Sequence, residues 1–265
     1  MLRAGYQPQL ATGTICATGT LGQIIPPSIA LVLLGDIMSS AYQQAQLRMN
    51  IINTDTVSVG DLFIGAMMPG IILVMMYLAY VLLRAAWQPD TAPPAKIEKT
   101  DSAAAIKAVL PPLGLIVLVL GSILVGAATP TEAAGVGATG ALLLALARGA
   151  LTFSVLQDIS RSTLYTTSMV FLILVGAAIF SLVFRGFGGD ALIEAFFEGL
   201  GGGPHMALLV VMLVMFLLGF ILDFIEITFV VVPVVGPVLL SMGFDPIWLG
   251  VMIAVNLQTS FLTPP

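Results

Sequence analysis

Ala17-Thr-Gly-Thr-Leu-Gly-Gln-Ile-Ile-Pro-Pro-Ser28 is an apolar stretch studded with hydroxyls and stopped by two consecutive prolines, and Val255-Asn-Leu-Gln-Thr-Ser-Phe-Leu-Thr-Pro-Pro265 repeats the pattern near the other end. Extended toward the N-terminus, the two stretches align without a gap, Gly5 to Pro27 against Gly243 to Pro265. The shared positions are Gly5/Gly243, Tyr6/Phe244, Pro8/Pro246, Ile15/Ile253, Pro26/Pro264 and Pro27/Pro265. The other Pro-Pro pairs, at Pro93 and Pro111, lack the Gly-aromatic lead-in. Proline removes a backbone donor and clashes with the turn before it, while Gly19 and Gly22 lower the barrier to unwinding. A membrane helix broken twice in corresponding positions is the sequence pointer to the binding site of an internally repeated secondary transporter.

The composition fits a membrane solvent. Hydrophobic residues make up 58% and charged residues 9%, with a mean hydropathy of +1.08, where soluble domains carry about 25% charged residues. The expected fold is therefore an all-α integral membrane protein, read as an inverted-repeat transporter with broken helices and a re-entrant hairpin. Apolar spans are predicted at Leu10–Gly35 (broken at Pro26), Leu62–Leu83, Val109–Ala127, Ala133–Ala147, Leu164–Phe184, Met206–Leu222, Ile227–Leu240 and Ile247–Leu262. Several are shorter than the roughly 20 residues that cross a hydrocarbon core. A net charge of -5 leaves no basic surface for nucleic acid. One Cys and one His exclude a disulfide framework and a Cys/His metal site. No nucleotide-binding Gly-rich loop with its Lys is present. Met1-Leu-Arg-Ala-Gly5 lacks the basic-then-apolar order of a signal peptide, and the chain is expected to be a piece of a longer one.

Three divisions are predicted: 1–35, the end of a first repeat; 36–150, an outer loop, scaffold helices and a charged linker at 87–107; and 151–265, a second repeat. The second repeat holds an amphipathic helix at 190–200, a hairpin at 206–240 and a broken helix at 247–265. The linker carries or adjoins Arg84, Lys96, Lys99 and Lys107, so the positive-inside rule places it in the cytoplasm. Threading outward puts Arg3, Arg148 and Arg161 on the same side, with Arg48 and Arg185 opposite, provided 206–240 enters and leaves by one face. Asp223-Phe-Ile-Glu226 joins two short apolar arms with no surface turn, which is allowed at membrane depth where protein or a water-filled cavity surrounds the tip. The two motifs then start from opposite faces.

The breaks offer neutral oxygens to a dehydrated alkali cation: backbone carbonyls near Thr18, Gly19 and Thr20 on one side, and Asn256, Gln258, Thr259 and Ser260 on the other. The bland alternative is that Thr, Ser and Asn merely bond between packed helices. Asp223 and Glu226 are the most central acids, and intramembrane carboxylates are functional candidates. Asp-x-x-Glu is also a capping-box-like helix start, and both roles can coexist. Thr129-Pro-Thr-Glu132 reads as a helix cap, as does Ser58-Val-Gly-Asp61, and His205 as a solvated residue in an outer turn. No predicted span holds Lys or Arg within its core, so an anionic substrate would need half-helix N-termini, hydroxyls such as Ser28, Ser260 and Thr263, or a co-bound cation.

Taken together, Gly5-Tyr-x-Pro with Gly-Thr-Leu-Gly-x-Ile-Ile-Pro-Pro-Ser28, Thr129-Pro-Thr-Glu-Ala-Ala134, Leu222-Asp-Phe-Ile-Glu-Ile227 and Asn256-Leu-Gln-Thr-Ser-Phe-Leu-Thr-Pro-Pro265 resemble the large membrane subunit of tripartite ATP-independent periplasmic (TRAP) transporters. The resemblance covers essentially the whole chain. It implies an elevator-type, multi-pass protein of the bacterial inner membrane that imports a small organic acid with sodium as coupling ion and no other cofactor. The implied partners are a periplasmic solute-binding protein and a small four-helix membrane subunit, and no enzymatic activity is implied. Thr18, Gly19 and Thr20 would supply half of a first cation site, whose other half precedes this chain in the family. Gly219, Asp223, Asn256, Gln258 and Thr259 would supply a second. Glu226 departs from the small or apolar residue of many relatives. The Asp-Phe-Ile-Glu-Ile and Asn-Leu-Gln-Thr-Ser variants are similar to the mannitol or chloroaromatic branch. An ion channel with a carbonyl-lined filter at Thr18 to Gly22 is the alternative reading, and an intramembrane protease a distant third.

Overall fold

The computed structural model describes residues 1–2, 5–51, 54–93 and 102–260, without the side chains of 102–105 and 260. Described residues form helices joined by turns: α1 Pro8–Thr20, α2 Ile29–Arg48, α3 Val59–Trp87, α4 Ser102–Leu124, α5 Pro130–Ala147, α6 Phe153–Gly186, α7 Gly189–Gly199, α8 Gly203–Leu218, the single turn α9 Phe224–Glu226, α10 Val232–Ser241 and α11 Pro246–Ser260. The all-α expectation holds among them. Among the described residues, five helical stretches are long and apolar enough to cross a membrane, or six if the α7–α8 pair, bent by 115°, counts as one span. The chain divides into two compact units, residues 1–27 with 66–152 and residues 28–65 with 153–265.

In the first unit, α1 starts as the sequence requires. Gly5 takes a left-handed φ of +83°, and Pro8 occupies the first helical turn, where its missing N–H is no loss. The helix stays regular through Gly19 and ends at Thr20, a 3-10 turn covers Leu21–Gln23, and regular structure stops before Pro26. Gly19 and Gly22 are thus helical rather than unwound. A helical glycine costs only about 1 kcal/mol, whereas the prolines deny the carbonyls of Gly22 and Gln23 the N–H groups four residues ahead. The carboxyl half of α3 runs beside α1 in the opposite direction: the Gln7 N–H donates to the Thr91 carbonyl at 3.0 Å, and Ile25 lies against Gly70. Helices α4 and α5 pack as a neighbouring pair, with the Leu115 side chain against Gly140. The α5 start is the capping box read from sequence: Thr129 accepts from the Glu132 N–H while the Glu132 carboxylate accepts from the Thr129 N–H.

In the second unit, α2 is the hub, and it extends to Arg48 rather than stopping near Gly35. Asp36, Ser39, Ser40, Gln43 and Gln44 lower the hydropathy without interrupting the helix. Its buried face carries Leu31, Leu34, Met38, Ala41 and Ala45. Lipid tails are as apolar as leucine, so close fit drives this packing more than water exclusion does. Gly35 meets Val59, Gly236 meets Ala41 at 3.3 Å from its ideal Cβ position, and Gly250 faces Met38 and Leu62. A Gly236→Leu substitution would force α10 off α2 and is expected to remove the folded complex from size-exclusion profiles, since overpacking alone costs about 1–3 kcal/mol.

Two polar features pin the end of α2. Gln46, 2% exposed, donates to the Asp55 carbonyl at 3.0 Å and accepts the Asp55 N–H at 2.8 Å. Gln46→Leu removes both bonds and is expected to lower the thermal midpoint, at about 0.5–1.5 kcal/mol per bond, since Asp55 is exposed and water can take them over. Arg48 pairs with Asp190 and, at 2.7 Å, with Glu194. The acid row at 190–198 belongs to the helix expected to be amphipathic, and two of its members tie α7 to α2.

Helix α6 begins at Phe153, well before the predicted Leu164, because its first turns carry Gln157, Asp158, Arg161 and Ser162 and stay outside the apolar window. His205 lies in the first turn of α8 rather than in the preceding loop, its ring edge-on to Phe244 at 5.9 Å.

Candidate functional site

The second copy of the repeated lead-in has the conformation of the first. Gly243 takes a φ of +95°, beside +83° for Gly5, and Pro246 opens α11 as Pro8 opens α1. Here Asp245 caps the helix, its carboxylate accepting the Trp248 N–H at 2.7 Å, a bond that Gln7 does not make for α1. The two motifs are therefore alike in backbone as well as in letters.

Within the second unit, α8 ends at Leu218, Gly219–Asp223 leave the helix, and helical structure resumes at Phe224. Gly219 is buried and closes α8. Asp223 is exposed, and its Oδ1 accepts the Phe224 N–H at 2.8 Å, so it caps the returning arm as its position suggests. The other carboxylate oxygen takes part in no described bond. Helix α11 is joined to α8 by Asn256, whose Nδ2 donates to the Met212 carbonyl at 2.7 Å. That amide was expected to face a cation; it acts as a strut between α11 and α8, leaving its Oδ1 as the group able to ligate. Thr259 donates to the Asn256 carbonyl at 2.6 Å, and Gln258 is buried. Ser28 is buried and caps α2, accepting the Leu31 N–H at 3.2 Å. Ser260 belongs to α11, without a described side chain, and Thr263 falls outside the described residues.

In the first unit, Thr18 donates to the Thr14 carbonyl at 2.7 Å and Thr20 to the Ala17 carbonyl at 2.8 Å. A hydroxyl that donates along its own helix keeps lone pairs for a cation. The stretch from Thr18 to Gln23 is helical, with Leu21 N–H bonded to the Thr18 carbonyl. An extended, carbonyl-lined filter at Thr18 to Gly22 is therefore not what these residues form.

One feature escaped the sequence reading. Residues Ile227–Val231 form a π-helical turn, with the Val232 N–H reaching back to Ile227. Pro233 gives the cause, for it cannot donate to the Phe229 carbonyl and disfavours regular α geometry in the turn before it. Thr228 lies in this turn, 1% exposed, with its hydroxyl unpaired among the described residues. Proline four or five residues after a threonine, within an apolar arm, was the available signal. Since an unpaired buried hydroxyl is a liability, Thr228→Val is expected to raise the thermal midpoint slightly, and a simultaneous fall in uptake would mark the hydroxyl as functional.

Comparison with known proteins decides the class. The family model described as "Tripartite ATP-independent periplasmic transporter, DctM component" matches residues 1–265. The chain belongs to the DctM family. A C4-dicarboxylate TRAP transporter large permease protein of Pseudomonas aeruginosa is 32% identical over the whole chain. An ectoine/5-hydroxyectoine large permease of Ruegeria pomeroyi and a sialic acid large permease of Vibrio cholerae are each 27% identical over the same span. This DctM-family chain covers 58% of the length of each of these relatives. They are named as transporter permeases, not enzymes, in agreement with the absence of a catalytic constellation from the sequence reading. Its apolar helices make it a multi-pass membrane protein.

Proposed function

We propose that this chain is the core of the large permease of a cation-coupled secondary transporter, with sodium the coupling ion, importing a small organic acid. The observation that carries the proposal is the paired conformation of the repeat: left-handed Gly5 and Gly243, helix-opening Pro8 and Pro246, and polar residues toward the end of each short helix. Such paired interrupted helices supply carbonyls and hydroxyls to a cation and dipole ends to an anion. Thr18, Gly19 and Thr20 belong to one cation site; Gly219, Asp223, Asn256, Gln258 and Thr259 to the other. Helices α8 to α10 form the re-entrant hairpin of an elevator-type carrier.

The organic-acid reading is supported by relatives named for C4-dicarboxylate and sialic acid. Ser28, Ser260 and Thr263 contact the substrate carboxylate, Ser28 through a hydroxyl that also caps α2. The mannitol or chloroaromatic branch rests on the Asp-Phe-Ile-Glu-Ile and Asn-Leu-Gln-Thr-Ser variants alone. A periplasmic solute-binding protein delivers the substrate, a small four-helix subunit completes the assembly, and the inner membrane holds both. The test is substrate binding to the full-length complex in detergent with and without sodium. Binding that requires sodium supports the proposal, and binding indifferent to the cation overturns it.

A further inference from the structure

Arg84 lies one turn before the end of α3 in the first unit, and among the described residues its guanidinium makes no ion pair or hydrogen bond, while its Nε is buried. By contrast, Arg48 pairs with Asp190 and Glu194, Arg148 donates to the Ala108 carbonyl, and Arg185 donates to Ser181. An unpaired, half-buried guanidinium in an apolar setting favours an anionic ligand.

The surroundings say which one. Tyr77, Tyr80, Val81, Arg84 and Trp87 recur at helical spacing, so they share one face of α3. Along that face α1 runs the opposite way, and the two helices leave a narrow recess of about 60 Å³ lined by Gly13, Thr14, Ala17 and Thr18 on one side and Tyr77, Tyr80 and Val81 on the other. An ideal Cβ on Gly13 meets nothing within 4 Å, so the recess is open at that point. Trp87 is 78% exposed and Tyr80 57%, and exposed aromatic rings near the end of a membrane helix sit at headgroup level. A charge at that depth with an apolar slot beginning one turn deeper matches an amphiphile.

We propose that Arg84 binds the phosphate of an anionic phospholipid, whose acyl chain enters the recess between α1 and α3. The fork of the guanidinium suits phosphate oxygens, and the recess suits a chain, being mostly apolar and aromatic, with the Thr14 and Thr18 hydroxyls donating to carbonyls of their own helix rather than into it. Thr18, which also lines the recess, is shared with the first proposed cation site; the lipid proposal rests on Arg84 and the α3 face and does not need that cation reading.

The test is native mass spectrometry of the full-length permease in its complex, released from nanodiscs of mixed phosphatidylglycerol and phosphatidylcholine. The wild type is expected to retain one phosphatidylglycerol in preference to phosphatidylcholine. Arg84→Gln is expected to weaken that retention about tenfold, in line with loss of a charge-assisted hydrogen bond. Arg84→Lys should keep most of it and Arg148→Gln all of it, whereas Gly13→Leu, which fills the recess without touching the charge, should weaken it. The proposal is overturned if Arg84→Gln retains the lipid as the wild type does, if both lipids are held equally, or if the wild-type complex holds none. Displacement of the lipid by millimolar inorganic phosphate would equally overturn it, by marking a free-anion site.

Discussion

Asp223→Asn is expected to weaken cation-dependent uptake at least about tenfold, the loss anticipated when a charged ligand becomes a neutral one, while stability stays within about 0.5 kcal/mol. The substitution is informative because it separates two roles. The carboxylate accepts the Phe224 N–H and so caps the arm that follows the hairpin tip. Asparagine caps helices as well as aspartate does, so the bond survives and only the charge is lost. Asp223→Ala removes both and should add about 1 kcal/mol of destabilisation. Uptake measured in proteoliposomes across a sodium titration, beside a thermal melt, reads the two effects independently. Full cation dependence in the Asn variant would remove Asp223 from the cation site and leave it as a cap only.

The second large effect is expected at Asn256. Its Nδ2 holds the Met212 carbonyl at 2.7 Å and thereby sets α11 against α8. Asn256→Asp preserves shape and oxygen but has no donor, so it sets a carboxylate against that carbonyl. If the residue served chiefly as a cation ligand through its oxygen, the added charge would preserve or tighten cation affinity. As a strut it should instead fail: a loss of about 1–3 kcal/mol in stability together with more than tenfold loss of uptake, because a misplacement of about 1 Å is enough to spoil such a site. Thermal melts and sodium-dependent uptake of Asn256→Asp, compared with Asn256→Ala, distinguish these outcomes.

What could be read from the sequence was local. The lead-in glycines and prolines and the Thr129–Glu132 capping box each depend on residues within four positions of one another and have the expected form, whereas Asp223 caps its arm through the Phe224 N–H rather than through a box with Glu226. The first break, predicted at Pro26, is where regular structure stops, though not by unwinding at the glycines; the second, at Pro264, lies outside the described residues. Gly19 and Gly22 invited unwinding, yet helix persisted until the prolines removed the donors, so regular structure ends nearer Pro26. The ends of α2 and α6 were missed because a hydropathy window stops where polar residues begin, whereas a helix continues as long as its hydrogen bonds do.

The remaining features depend on distance along the chain. Arg48 meets Asp190 and Glu194 across more than 140 residues, and no periodicity relates them. Asn256 finds a main-chain carbonyl, which has no letter of its own in the sequence. The π turn around Thr228 follows from Pro233, a residue that looked like one more apolar-arm proline. At the candidate site, residue identity was therefore informative about chemistry, while the division of labour between ligand, cap and strut required coordinates.

The most direct measurement of the central claim is uptake by the reconstituted full-length complex under an imposed sodium gradient and, separately, under an imposed pH gradient of equal driving force. An inward sodium gradient is expected to drive accumulation that collapses when the gradient is dissipated, with no accumulation from the pH gradient alone. Accumulation driven by protons, or movement of substrate only down its own gradient whatever the sodium, would contradict the account.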